Sequence, residues 1–291
     1  MKYYSANMFF RDRFGCRMYK ASVSLDVTCP NRDGTVGKGG CIFCSEGGSG
    51  EFSAGGGKDI SSRIDEAIKR VSSKIGDDTG IIAYFQSFTN TYCKASYLDE
   101  VMGQAFSHPR VKAVSLGTRP DCLPEDILEV LKKYSSRYPV FVELGLQTSN
   151  DGTAVWFNRC YRTEVYDRAV RQLKDIGVNV ITHIIFGLKG ETAEDMMESV
   201  RHAVDAGTDG VKFTCLYVLE GTKLYDEYRD GGIELLGMEE YFDIVEQALE
   251  ILPPEVVVHR LTGDGPKKIL KGPLWTMDKR KVINYINRRF G

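Results

Sequence analysis

Three cysteines stand close together near the start of the chain, in the run Cys29-Pro-Asn-Arg-Asp-Gly-Thr-Val-Gly-Lys-Gly-Gly-Cys41-Ile-Phe-Cys44, a C-x11-C-x2-C spacing. Soft thiolates at this density select zinc or an iron–sulfur cluster. Gly34, Gly37, Gly39 and Gly40 let the loop wrap closely around something, and Gly47, Gly48 and Gly50 follow it. The count of ligands matters. A structural zinc closes its tetrahedron with four, whereas three cysteines on a four-iron cubane leave one iron open to a substrate or cofactor. Cys16 or Cys93 could supply a fourth thiolate and close the site, and unligated thiols are the plainest alternative. Cys122, Cys160 and Cys215 are scattered like Cys16 and Cys93, and most of these five read as small core fillers. Eight cysteines in a chain with no sign of a leader favour thiol or metal chemistry over a disulfide framework.

The elements that must position the cysteines alternate in type. Candidate strands, rich in β-branched or aromatic residues, cover 20–26, 80–88, 111–117, 139–147, 178–186 and 211–219. Several are apolar on both faces, as parallel strands covered by helices are. Between them lie amphipathic helices. One carries Ile60, Ile64, Ala67, Ile68, Val71 and Ile75 at spacings of three and four. Another runs from Pro124 through Ile127, Leu128 and Leu131, a third from Thr163 to Gly177, and a fourth from Thr192 to Gly207, with polar starts and glycine stops. Six strand–helix units read as an α/β fold, a barrel or partial barrel, with functional residues on loops after the C-terminal ends of the strands; strand periodicity alone does not choose six units over eight, or a barrel over an open sheet. A helix over 238–252, a short strand over 256–261 and a basic tail follow.

Composition is that of a globular domain: 291 residues, 42% hydrophobic and 27% charged. Residues 1–13 carry Lys2, Arg11, Asp12 and Arg13 but no apolar stretch of a leader peptide. No apolar run approaches the roughly 18 to 20 residues of a membrane span. The expectation is a soluble, cytoplasmic protein with no membrane partner. Charge is uneven within a net of −2. Residues 265–291 hold Lys267, Lys268, Lys271, Lys279, Arg280, Lys281, Arg288 and Arg289 against Asp278 alone, so that segment is +7 and residues 1–264 are −9. The division expected is a core over 1–264 and a basic extension over 265–291 packed on the same domain. The asymmetry suggests an anionic partner, against the plainer reading of a solvated terminal helix. Trp275 and Tyr285 interleave with the basic residues, a pattern used against nucleic acids.

A family resemblance covers nearly the whole chain. It is carried by Leu25-Asp-Val-Thr-Cys-Pro-Asn-Arg-Asp-Gly-Thr with Cys41-Ile-Phe-Cys44, then Phe85-Gln-Ser-Phe-Thr-Asn-Thr-Tyr92, Gly117-Thr-Arg-Pro-Asp121 and Val142-Glu-Leu-Gly-Leu-Gln147. His183-Ile-Ile-Phe-Gly-Leu-Lys-Gly-Glu-Thr192, Leu216-Tyr-Val-Leu-Glu-Gly-Thr-Lys-Leu224 and His259-Arg-Leu-Thr-Gly-Asp264 complete it. The sequence resembles radical S-adenosylmethionine (SAM) proteins of the YtqA/YhcC type, related to the catalytic subunit of Elongator. The long first gap between cysteines, in place of C-x3-C-x2-C, is that branch's variant. The resemblance implies a partial (β/α)6 TIM-like barrel and a [4Fe–4S] cluster on Cys29, Cys41 and Cys44. SAM chelates the open iron, and an electron from the cluster cleaves it to a 5′-deoxyadenosyl radical that abstracts hydrogen from the substrate.

Position by position, the resemblance puts Phe43 near the adenine. Gln86, Ser87, Thr89 and Asn90 stand where other members hold the methionyl amino group, although the usual Gly-Gly-Glu is absent. Glu143, Gln147 and Gly187 would contact ribose, carboxylate or adenine. Each assignment has a plainer rival. The segment from Gln86 to Asn90 could be a polar turn, His183 reads as a satisfied core histidine, and Arg119 with Asp121 as a structural ion pair or an active-site pair. Lys212 and Tyr217 are weaker candidates, and 262–266 could be a simple turn. Glu143, a carboxylate in an apolar strand, reads as functional, since such a group is rarely left unpaired. The substrate implied is a tRNA wobble uridine side chain of carboxymethylaminomethyl type. An electron donor such as flavodoxin or ferredoxin is implied as a second partner. The alternatives are a small-molecule radical SAM enzyme and a non-enzymatic zinc or cluster protein that binds nucleic acid.

Overall fold

The computed structural model describes residues 2–48, 53–54, 59–76, 78–263 and 265–291; Gly50 and Asp264, named above, lie outside them. The first half runs α1 (Ala6–Phe14), β1 (Met18–Val23), α2 (Pro30–Asp33), α3 (Ile60–Val71), β2 (Gly80–Phe85), α4 (Ala95–Ser107), β3 (Val111–Thr118), α5 (Glu125–Ser135), β4 (Val140–Gln147) and α6 (Asp151–Trp156). The second runs α7 (Thr163–Asp175), β5 (Asn179–Phe186), α8 (Ala193–Asp205), β6 (Gly210–Cys215), β7 (Val218–Leu219), α9 (Lys223–Arg229), α10 (Met238–Ile251), β8 (Val257–Arg260), β9 (Leu270–Gly272) and α11 (Lys279–Phe290). One parallel sheet joins β1-β2-β3-β4-β5-β6-β8 in that order, curled into a half-barrel with helices outside, and β7 pairs with β9 in a separate antiparallel ribbon. The expected partial barrel is therefore present, with a seventh strand supplied by the short segment after α10. The expected strand over 211–219 divides: β6 stops at Cys215, and Val218 and Leu219 leave the sheet to pair with β9.

Alternation along the strands builds the two sides of the wall. One set, including Ala21, Val23, Ala83, Phe85, Val114, Leu116, Val142, Leu144, Val180, Ile184, Val211 and Phe213, joins the helices in the main core. The opposite set faces the barrel axis in layers. The lowest layer is apolar: Met18, Ile82, Ala113, Phe141 and Ile181 pack with Phe10 of α1. Phe10 meets Phe141 edge-on at 6.0 Å between ring centroids. Ser5 caps α1 by accepting from the Met8 amide at 3.3 Å, and Gly15 ends it at a φ of 65°. The sequence reading took residues 1–13 only as a segment without a leader. From Ser5 onward they build the capped helix α1, whose Phe10 plugs the lowest layer of the barrel.

Truncating the plug should be costly. Phe10→Ala is expected to lower unfolding free energy by about 3 to 5 kcal/mol in urea titrations. A loss below about 1 kcal/mol would show that the lower end needs no plug.

Candidate functional site

Two positions above the apolar layer, the inward residues turn polar: Lys20, Tyr84, Ser115, Glu143, His183 and Lys212. Two positions higher they are Ser22, Gln86, Gly117, Gly145, Ile185 and Thr214, mostly small. The low bulk of this upper layer leaves a cavity of about 500 Å³ inside the curl of the sheet. Cys29, Cys41, Cys44 and Phe43 line it on the side of the strand C-termini, and Lys20, Glu143, His183, Lys212, His259 and Arg260 at the floor.

The cysteine loop is braced from three directions. Cys29 precedes α2, whose Pro30 starts the turn and whose Gly34 ends it at a φ of 95°. Asn31 is fully buried; its amide donates to the Asn158 carbonyl at 2.6 Å and reaches the Cys41 sulfur at 3.7 Å. Asn158 donates in return to the Gly40 carbonyl at 2.8 Å. Arg32 donates to the carbonyls of Cys44 (3.2 Å) and Ser45, and its guanidinium lies 5.5 Å from the Phe88 ring centre. A hydrogen bond with Cys44 and burial push the Cys41 thiol well above its ordinary 9.0, while Arg119 and Asn31 pull the other way. Two thiols so close resist ionising together until a cation joins them. These features fit a metal cluster. Among the described residues no three His, Cys, Asp or Glu side chains converge as a single-ion site; a cubane on three cysteines asks instead for one thiolate on each of three irons.

The fourth-ligand candidates fall elsewhere. Cys16 sits below the barrel, 3.4 Å from the Lys112 ammonium, and Cys93 donates to the Asn90 carbonyl at 3.7 Å; neither lines the cavity. Cys160, read from sequence as filler, is exposed beside the cysteine loop, with its sulfur 3.2 Å from Asn158 Oδ1.

Of the eight residues expected to hold SAM, Phe43, Gln86, Thr89, Glu143 and Gln147 line the cavity. Ser87, Asn90 and Gly187 do not line it. Asn90 is fully buried and clamps two strand ends, donating to the carbonyls of Phe85 (2.9 Å) and Gly117 (2.7 Å). Ser87 is buried behind the turn that Phe88 makes at a φ of 57°. Gly187 turns the chain at a φ of 86° where a Cβ would strike Leu236.

Glu143 is held by the protein's own donors. Its Oε1 accepts from Ser115 Oγ at 2.8 Å and from the Lys20 ammonium. Its Oε2 accepts from Tyr84 OH at 2.9 Å and from the Lys212 ammonium, and faces His183 Nε2 at 2.8 Å. Protein donors thus take up its acceptor capacity, leaving none for a cofactor. Burial would raise its carboxyl, but Lys20, Lys212 and His183 overcome that and hold it well below 4.5. Lys212 is pushed down to about 7 by burial, against the attraction of Glu143. Burial and Lys212 also lower His183, which is satisfied as expected.

Sequence reasoning missed a second buried group. Arg159, the largest fully buried side chain, donates to the carbonyls of Leu146 and Thr148, each at 2.7 Å, and pairs with Asp151 at 2.8 Å. Arg119 grips Asp121 with two bonds, at 2.8 and 2.7 Å, and both guanidiniums lie against the Tyr161 ring, at 4.8 and 4.7 Å. Arg119 is thus both an ion-pair partner and part of the cavity wall.

Comparison with known proteins decides the family. The Radical SAM superfamily profile matches residues 29–203, and the Radical_SAM C-terminal domain profile residues 208–290. The chain belongs to the radical SAM superfamily. Its family binds a [4Fe–4S] cluster and SAM. The radical SAM chain is 38% identical to YtqA of Bacillus subtilis over 287 residues, 99% of this chain and 89% of that one. YhcC of Escherichia coli is 31% identical over 92% of this chain and 87% of its own. A Methanocaldococcus jannaschii protein named tRNA uridine(34) acetyltransferase is 31% identical over 60% of this chain but 33% of its own. Among solved structures, Elp3 of Methanocaldococcus infernus superposes with a TM-score of 0.69 at 19% identity, over 94% of this chain and 63% of that one. Those values establish a common fold.

In this radical SAM chain the C-terminal segment is only partly a charged surface. Arg289 is consumed by Glu246 and Asp243, both at 2.6 Å, and Lys271 by Glu220 at 3.1 Å. Lys267, Lys268, Lys279, Arg280, Lys281 and Arg288 are exposed. The interleaved aromatics are a correction. Trp275 donates to the Leu236 carbonyl at 3.0 Å and packs on Tyr241 and Phe242, and Tyr285 is buried against Phe242. Tyr285 belongs to the core beneath α11, and Trp275 packs half-buried against it. No described helix is long and apolar enough to cross a membrane.

Removing the floor carboxylate should be damaging because it strands two ammonium groups. Glu143→Gln is expected to cost about 3 to 5 kcal/mol, and adding Lys212→Met to recover part of that. The depressed Glu143 pKa contributes stability that is complete above about pH 4.5 and fades as pH falls through its folded-state value. Urea unfolding between pH 3 and 7 should show that loss in the wild type and a flatter profile in Glu143→Gln.

Proposed function

We propose that this radical SAM chain modifies a tRNA wobble uridine side chain of carboxymethylaminomethyl type, with Cys29, Cys41 and Cys44 as the cluster ligands. The observation that carries the substrate is the match between this chain and a protein named tRNA uridine(34) acetyltransferase, over 60% of this chain. The exposed basic residues of 265–291 support it, since the rest of the chain is net acidic and repels a phosphate backbone.

When bound, the cluster and SAM supply one-electron chemistry that yields a 5′-deoxyadenosyl radical and lets hydrogen be taken from an unactivated carbon. The protein's own part is placement. Arg32, Asn31 and Asn158 hold the cysteine loop over the cavity. Phe43, Gln86, Thr89 and Gln147, which line the cavity, would contact SAM. The wall of β1 to β6 keeps bulk water from the space where a substrate carbon would lie. An electron donor such as flavodoxin or ferredoxin completes the cycle.

Anaerobically reconstituted protein is expected to hold about four irons per chain and to release 5′-deoxyadenosine on reduction. Ala at Cys29, Cys41 or Cys44 should abolish both properties, and Ala at Cys16 or Cys93 neither. Equal damage at Cys16 or Cys93 would mean a fourth protein ligand. The substrate is tested by nucleoside mass spectrometry of tRNA from cells lacking the protein, where an unmodified precursor at the wobble uridine should accumulate. Ala at Lys279, Arg280 and Lys281 together should weaken tRNA binding and lower the log–log salt slope by about 2 to 3, near 0.9 per lost phosphate contact. Unchanged affinity and slope would remove this helix from the RNA interface.

A further inference from the structure

Charges facing the cavity do not balance. Glu143 is the one carboxylate among the described lining residues, against Lys20, Lys212 and Arg260 at the same end. The guanidiniums higher on the wall are committed: Arg119 to Asp121, Arg159 to Asp151, Arg32 to backbone carbonyls. Lys20 and Lys212 share Glu143. Arg260, at the exposed end of β8, has no hydrogen-bond or ion-pair partner among the described residues. Next to it in the chain, His259 keeps a buried Nδ1 without a partner. The floor thus carries a formal surplus of two positive charges, or one if Lys212 is neutral, in a space partly shut off from water. Lys212 is buried and Lys20 partly so, which makes a surplus at that end unfavourable until an anion enters, while Arg260 is exposed and open to an incoming group.

We propose that the floor is an anion-recognition subsite in which Arg260, with Lys20, Lys212 and His259 around it, receives a carboxylate carried by the substrate. This rests on the reading of the cavity as the radical SAM active site. A guanidinium presents two parallel N–H groups that match a planar carboxylate. A monoanion also suits the surplus better than a phosphate dianion, which would face the fixed charge of Glu143. The state of Lys212 is consistent with this. Lys20, Tyr84, Glu143, His183, His259 and Arg260 surround it, and burial lowers it to about 7. An arriving carboxylate would favour its protonated form, so binding takes up a proton and weakens as pH rises above about 7.

A carboxylate could come from the substrate or from the methionyl end of SAM, and the experiment separates them. Radiolabelled benzoate, with benzamide as its uncharged isostere, is equilibrated by dialysis against the full-length, cluster-loaded protein with and without saturating SAM. Benzoate should bind at least about ten-fold more tightly than benzamide, with or without SAM. Arg260→Gln should weaken it by about ten- to a hundred-fold, Arg260→Lys less, as expected for a hydrogen bond to a charged group. Benzoate affinity should also fall between pH 7 and 9. Equal affinity for benzoate and benzamide, or benzoate binding indifferent to Arg260→Gln, would overturn the subsite. Displacement of benzoate by SAM would assign the anion site to the cofactor and overturn the substrate assignment. The two readings fail separately, because wobble nucleosides unchanged in cells lacking the protein would sink the tRNA substrate without touching benzoate binding.

Discussion

A carboxylate shut away from water stays ionised only if its surroundings replace every bond that water made to it. The centre of this barrel is organised around that demand. Glu143 of β4 draws donors from β1, β2, β3, β5 and β6, so one side chain engages six of the seven strands of the sheet. Strands that curl can bring Lys20 and Lys212, on opposite flanks of the sheet, to one carboxylate. A flat sheet would hold them several strand spacings apart. The ion hub and the curvature are therefore one feature, and the apolar layer below, plugged by Phe10, keeps water from the underside of the hub.

Above the hub the packing reverses its logic. Where the lower layer fills the axis with Met, Ile and Phe, the upper layer uses Ser, Gly and Thr and leaves it open. Backbone strain collects around that opening. Among the described residues, the non-glycine residues with positive φ are Phe88, Gln147, Asn158 and Cys160. Phe88 packs over the cysteine loop, Gln147 lines the cavity, and Asn158 ties the loop down. Left-handed backbone at such residues is unfavourable by about 1 to 3 kcal/mol each and persists where surroundings over-determine it. The buried guanidiniums of Arg159 and Arg119, both against the Tyr161 ring, supply that rigidity: Arg159 donates to the carbonyls of Leu146, Thr148 and Tyr161, and Arg119 to that of Arg159.

The same economy of charge separates the two ends of the molecule's function. Inside, cations outnumber anions around a small cavity, a setting for one anionic group of limited size. Outside, the basic residues of α11 and the preceding loop face solvent on a chain that is otherwise net acidic. Under the proposed function, a large polyanion would meet the outer surface and a small anion the floor.

Much of this was legible in the residues alone. Six strand–helix units, their caps and the crossover rule led to a parallel, curled sheet, because hydrophobic period and turn chemistry are local properties. The cysteine spacing led to the cluster loop, because thiolate chemistry depends on residue type. What stayed hidden depended on register. Lys20, Tyr84, Ser115 and Lys212 each look unremarkable within their own strands, and only the stagger of neighbouring strands brings them to Glu143. Their alternation with Met18, Ile82, Ala113 and Gly210 was a signal available in the sequence, but a single strand cannot say which face is the axis. Asn90, Ser87 and Gly187 sit within functional motifs yet turn away from the cavity, since a motif sets the residue and the backbone turn sets its direction. Trp275 and Tyr285 were read as surface because their neighbours are charged, and α10 claimed them for the core. Sequence determined which groups this chain can bring to chemistry; the closing of the sheet decided which of them meet, because distances across a barrel are set by strands far apart in the chain.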